Sequence, residues 1–124
     1  MSVINFVVRQ ADMVGMSPDN HAGTINLRMI TADTVGAQGL EVVVGVVAGP
    51  EGGGSLPHSH EGIEQANYIL EGRARAEMHG QVHELGPGDM CYFPPDVRHS
   101  MVRVGAEPLK VLVIYSRVGT SVAD

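Results

Sequence analysis

A chain of 124 residues is long enough to bury one hydrophobic core and too short for two domains of ordinary size. Its net charge of −6 and pI near 5.4, with no cluster of basic residues, argue against nucleic acid or an anionic membrane as partner. The single cysteine, Cys91, excludes an intrachain disulfide and agrees with a reducing, cytoplasmic setting. No apolar run approaches the roughly 20 residues that cross a bilayer, and MSVINFVVRQADM lacks the pattern of a signal peptide.

Taken in chain order, residues 1–24 read as an arm outside the main domain, in which INFVV is apolar enough to pair with an edge strand or a partner. Short strand-like runs follow over 25–31, 40–48, 66–72, 74–80, 90–94, 99–104 and 109–116. They are rich in Val, Ile, Tyr and Phe and are bounded by Gly, Pro and Asp. In ARAEM the alternation is clean, with Ala74, Ala76 and Met78 on one face and Arg73, Arg75 and Glu77 on the other. LEVVVGVVA is apolar on both faces, so it is expected to be covered twice, by its own domain and by a second subunit. Nothing reads as a long amphipathic helix. Many short strands at near-regular spacing predict an all-β sandwich or barrel over residues 25–116, with 117–124 as a tail.

The chemistry concentrates in LPHSHEGIEQANYILEG, residues 56–72. His58 and His60 are two apart in a segment expected to be extended, so both imidazoles leave the same face. Two such histidines suggest a metal ion, and Glu64 and Gln65 follow as candidate oxygen ligands. Neighbours in a strand face opposite sides, so only one of the two can point inward. A bulge at Gly62 is the route by which the register would slip and bring Glu64 in.

Other polar residues compete for roles. His79 and His83 are expected on the surface, and His21 in a solvated loop. Cys91, beside Tyr92 and Phe93, reads as a buried, unreactive thiol. Met78 and Met101 have the parity to line a central cavity. Arg28, Tyr68, Arg103 and Tyr115 are the side chains best able to reach a substrate. Arg103 shares strand parity with His99 and could grip a carboxylate bidentately; Arg103 and Tyr115 are the candidate catalytic residues. Glu64 and Tyr115 are the weak contenders for a general base.

Gly52, His58, His60, Gln65 and Gly72 in this order resemble the first motif of the cupin superfamily. GPGDMCYFPPDVRHS, with Gly88, Pro94 and His99, resembles the second. The resemblance implies a jelly-roll barrel, the double-stranded β-helix. It implies His58, His60, position 65 and His99 as ligands of one divalent transition metal (Zn, Ni, Fe, Mn or Cu). The usual acidic ligand lies seven residues before the turn glycine, which is Gln65 here and not Glu64. The last motif position, often Asn, is Arg103, so its role is not carried over.

Three imidazoles and a carboxamide are all neutral, so a divalent ion would keep its full charge. Such a centre favours Lewis-acid chemistry over support of a higher oxidation state. The expectation is therefore a redox-neutral isomerase, cyclase or lyase acting on a polar, oxygen-rich small molecule such as a sugar acid or enediol. This is similar to small cupins that convert unsaturated uronates and to cupin polyketide cyclases. The alternatives are an Fe- or Cu-dependent cupin dioxygenase and a non-catalytic binding or sensing cupin. A homodimer is expected by the same resemblance.

Overall fold

The computed structural model describes residues 6–17, 21–49, 53–58 and 60–118, and only the backbone at residues 22 and 55–58. Gly52, Ser59, the His58 side chain and most of the 117–124 tail lie outside the described residues, as does the start of INFVV. Among the described residues ten strands form: β1 (His21–Ala22), β2 (Thr24–Ile30), β3 (Leu40–Val47), β4 (Gly54–His58), β5 (Ile63–Glu71), β6 (Arg73–Met78), β7 (Gln81–Leu85), β8 (Met90–Phe93), β9 (His99–Val104) and β10 (Leu109–Arg117). One short helix, α1 (Ala32–Val35), and a 3-10 turn at Gln10–Asp12 are added. No helix among the described residues is long and apolar enough to cross a membrane.

The strands make two five-stranded antiparallel sheets, ordered β1-β4-β9-β6-β7 and β2-β3-β10-β5-β8. This is the all-β barrel expected from the strand pattern, in the jelly-roll form that the resemblance implied. Its inner faces supply the core: Val43, Val47, Ile69, Ala74, Ala76, Phe93, Met101, Leu109, Val111 and Val113. Alternation sets this out strand by strand. In β10 residues 109, 111 and 113 are buried, and in β9 residues 99, 101 and 103. Val44, on the opposite face of β3, is also buried; its cross-strand neighbours are Leu27 and Leu112.

Two elements that carry no apolar pattern form for tertiary reasons. The Gly/Pro-rich segment before His58 becomes β4 because Gly54 comes very close to β9. A Cβ at Gly54 would lie 2.6 Å from the Met101 carbonyl oxygen, and its φ is 131°. After a register shift between Ser55 and His58, the same pair sets His58 opposite His99. The β6–β7 hairpin turns through His79 and Gly80, at φ 54° and 75°. Both His79 and His83 are exposed there, as anticipated.

His21 departs from its expected solvated loop. It sits in β1, paired with Ser55 of the HxH strand, and lines the barrel interior. Tyr68 departs too. It shares parity with Glu64 on the outer face of β5 and does not reach the interior.

Candidate metal centre and barrel mouth

Gln65 lies on the inner face of β5, 7% exposed. Its cross-strand neighbours are Tyr115 on β10 and Phe93 on β8. Each of these touches a histidine. The Tyr115 ring meets His60 edge-on, with centroids 5.5 Å apart, and Phe93 stacks flat on His99 at 4.1 Å. The two imidazoles are themselves 5.6 Å apart. The backbone of the loop before His99 is tied to the HxH segment by a bond from Asp96 N–H to the His60 carbonyl, at 3.0 Å. The structure thus gathers His60, Gln65 and His99 at one end of the barrel, and the His58 backbone sits opposite His99.

Two of the candidate donors, His99 and Gln65, are held by a second group. His99, 4% exposed, lies 3.0 Å through Nδ1 from the Val97 carbonyl. A carbonyl only accepts, so Nδ1 is the donor of this bond, which leaves Nε2 as the ligating nitrogen of the neutral ring. The Gln65 amide nitrogen donates to Asn67 Oδ1 at 2.9 Å, and Asn67 Nδ2 in turn contacts the Met101 sulfur at 3.6 Å. That chain fixes which end of the Gln65 amide is which. Its carbonyl oxygen is buried with no hydrogen-bond partner, a costly state for a neutral acceptor. A cation beside it would offset the cost, so this donor set fits a metal ion. Among the described residues no three His, Cys, Asp or Glu side chains form a metal cluster; the His58 side chain lies outside those residues, and the Gln65 donor is a carboxamide.

Glu64 faces the other way. Its carboxylate accepts a 2.8 Å bond from the Tyr92 hydroxyl on the outer surface. Gln65 inside and Glu64 outside follow from β5 running in step with β10 from Ile63 to Ile69; the one irregularity of that pair, opposite Lys110 and Val111, lies beyond both residues.

The interior beyond Gln65 holds a cavity of about 60 Å³ lined by Thr24, Asn26, Asn67, Met101 and Tyr115 among others. A larger cavity of about 420 Å³ opens at the barrel mouth and reaches His60, Ile63 and Tyr115. The two share Asn26, Val43 and Tyr115. Burial pushes the Tyr115 hydroxyl above its ordinary pKa, reinforced by the nearby Glu41 carboxylate and opposed by Arg28. Tyr115 is therefore a hydrogen-bond donor at neutral pH, not the base the sequence offered. Arg28 and Arg117 also line the mouth. Arg28 was among the side chains the sequence singled out; Arg117 was not, because it falls just past the last apolar residue of its strand.

Arg103 requires a correction. It is 7% exposed on β9, and its guanidinium donates to the carbonyls of Gly49, Gly105 and Ala106. The latter two are at 3.2 Å. The group expected to grip a substrate carboxylate clamps two loops instead. One of them leads into the HxH strand.

Cys91 behaves as expected of a structural thiol. Burial pushes its pKa up from 9.0 to about 11. Below pH 9 the thiolate is about 100-fold scarcer than for an unshifted thiol, and the thiolate is the reactive form. Alkylation by iodoacetamide at pH 8, followed by mass spectrometry, is predicted to be slower than for free cysteine by about that factor. Labelling of the native chain at the free-cysteine rate would show that the site is open.

Two antiparallel sheets closed face to face, with histidines and a buried amide gathered at one end, define a double-stranded β-helix barrel with a candidate ligand-binding end. Comparison with known families identifies it further: the chain belongs to the cupin family, whose Cupin domain matches residues 45–115. Over 79 residues the chain is 38% identical to the uncharacterized protein MJ1618 of Methanocaldococcus jannaschii, covering 60% of this chain and 63% of that relative. It thus spans somewhat under two thirds of that curated relative's length. Among solved structures it is similar to a predicted oxalate decarboxylase of Thermotoga maritima, with TM-score 0.78 and 20% identity over 91% of this chain and all of that one. It is also similar to the polyketide cyclase RemF of Streptomyces resistomycificus, with TM-score 0.75 and 22% identity over 96% of this chain and 89% of that one. At these identities the structural likeness speaks to the fold.

Proposed function

We propose that this cupin is a metal-dependent enzyme acting on a small, oxygen-rich molecule, such as a sugar acid or an enediol, without net redox change. The observation that supports this best is the buried Gln65 carbonyl oxygen, left open while its amide nitrogen is held by Asn67. His58, His60, Gln65 and His99 would hold one divalent transition ion, Zn, Ni, Fe, Mn or Cu. When bound among four neutral donors, the ion supplies Lewis acidity undiminished by ligand charge. The chain's own residues do the rest. The Val97 carbonyl keeps the proton on His99 Nδ1. Asn67 orients the Gln65 amide. Tyr115, shared by both cavities, offers its hydroxyl proton to a substrate oxygen. Phe93, buried and stacked on His99, keeps water from that side.

RemF, similar in structure, is a polyketide cyclase, which agrees with redox-neutral chemistry in this fold. The test is elemental analysis, chelation and reloading with Zn or Fe(II), assayed with and without oxygen on uronates, enediols and flavonols. The reading expects turnover by the zinc form under anaerobic conditions. Turnover confined to Fe or Cu, with oxygen uptake, would establish the dioxygenase alternative. Metal binding with no turnover would favour the sensing one.

A homodimer in a cytoplasmic setting is also proposed. The outer face of the second sheet presents Ile25, Leu40, Val42, Val46, Leu112 and Ile114, two of them exposed. That is more apolar surface than a sheet facing only water carries.

A further inference from the structure

We propose that the barrel mouth selects substrates bearing a single carboxylate, anchored by Arg28 and Arg117. The proposal rests on the reading above that the His60 end of the barrel is the reaction centre. It concerns a different set of residues.

Strand register brings the relevant charges to one end of one sheet. Arg28 pairs with Val43 across β2–β3, and Glu41 pairs with Tyr115 across β3–β10. Arg117 continues the inner parity of residues 111, 113 and 115. All of these except Val111 and Val113 line the 420 Å³ cavity, together with His60. The formal charges there are two arginines and one glutamate, a net charge of plus one with histidine neutral.

The arginines are not equally engaged. Arg28 Nη2 lies 3.4 Å from both Glu41 carboxylate oxygens, with both side chains about half exposed. So long and open a pair contributes little and exchanges readily. The Arg117 guanidinium has no ion pair among the described residues, while its backbone N–H bonds to the Gly39 carbonyl at 3.0 Å and fixes its strand. A planar carboxylate accepts two parallel bonds from a guanidinium. It would neutralise the mouth and leave the rest of the molecule directed toward His60 and Tyr115. Glu41 opposes a second negative charge, which disfavours phosphate dianions. Met16, Leu40 and Ile63 give the cavity an apolar lip against which a carbon skeleton can pack.

The experiment uses the metal-loaded chain and a paired panel: glycolate, lactate, glucuronate, galacturonate and benzoate, each against its primary amide, with methyl phosphate added. Affinities are read by NMR titration. At least one acid is expected to bind about tenfold or more tighter than its amide. In the Arg28→Gln/Arg117→Gln double variant that ratio falls toward one, with metal content unchanged. Glu41→Gln, which releases Arg28, tightens the acid several-fold. The proposal is overturned if no acid outbinds its amide, if methyl phosphate outbinds every acid, or if the ratio survives in the double variant. A ratio that survives there and vanishes on chelation would make the ion itself the anchor. If the wild-type chain held no metal, the reading of the centre would fail, and the acid-to-amide ratio would still decide this one.

Discussion

Gln65→Ala is expected to lower divalent-metal affinity by at least about 10- to 100-fold, the range found when even supporting groups of metal ligands are lost. Glu64→Ala is expected to leave it unchanged. The two residues are adjacent in sequence and similar in reach, and only their faces differ. Gln65 is buried against Tyr115 and Phe93, whereas Glu64 is bonded to Tyr92 outside. Asn67→Ala should weaken binding by a smaller factor. It removes the acceptor that holds the Gln65 amide nitrogen and lets the amide turn. Gln65→Glu is the informative conservative change. It should bind metal at least as well as the wild type while making the centre less acidic, since a carboxylate offsets part of the ion's charge. Calorimetric titration of chelated protein with Zn²⁺ measures all four, with melting curves to show that each variant is folded. If Glu64→Ala alone loses the metal, the parity argument fails.

Arg103→Met is predicted to destabilise the fold by about 3 kcal/mol or more, because hydrogen bonds from a charged group are worth roughly 1.5–3 kcal/mol each. Three backbone carbonyls would lose their donor. Arg103→Lys should recover only part of this, since an ammonium cannot span carbonyls 49, 105 and 106 as a planar fork does. Urea denaturation gives the stability difference. Below the melting point of the variant, metal affinity should be near that of the wild type. A variant of normal stability that failed to bind ligand would return Arg103 to the role the sequence suggested.

That role was misread for a definable reason. Parity along a strand reports the face of a side chain and not its depth. Arg103 and His99 share the inner face of β9. Four residues of strand still separate them by about 13 Å, with Met101 between. The same logic succeeded at Gln65, where the question was only inside or outside. The pattern of short apolar runs bounded by Gly, Pro and Asp made β2, β3, β5, β6, β8, β9 and β10 legible. It could not reveal β4, whose Gly54 is there because a side chain would strike the Met101 carbonyl. Nor could it reveal β7, an edge strand whose residues 81–84 are all exposed. His21 and Arg117 were missed because their positions come from pairings at strand ends, with Ser55 and Ile63 respectively. Tyr68 needed only the parity already applied to Glu64, which shares its outer face.

His58, His60 and His99, with Gln65, are proposed to hold a divalent ion. Long-range ¹H–¹⁵N NMR of the six histidines during Zn²⁺ addition to the chelated chain tests it directly. One nitrogen of each of His58, His60 and His99 is expected to move to the metal-bound range at one equivalent, while those of His21, His79 and His83 stay in place. Spectra in which those three imidazoles are unmoved, or in which His79 and His83 respond in their place, would contradict it.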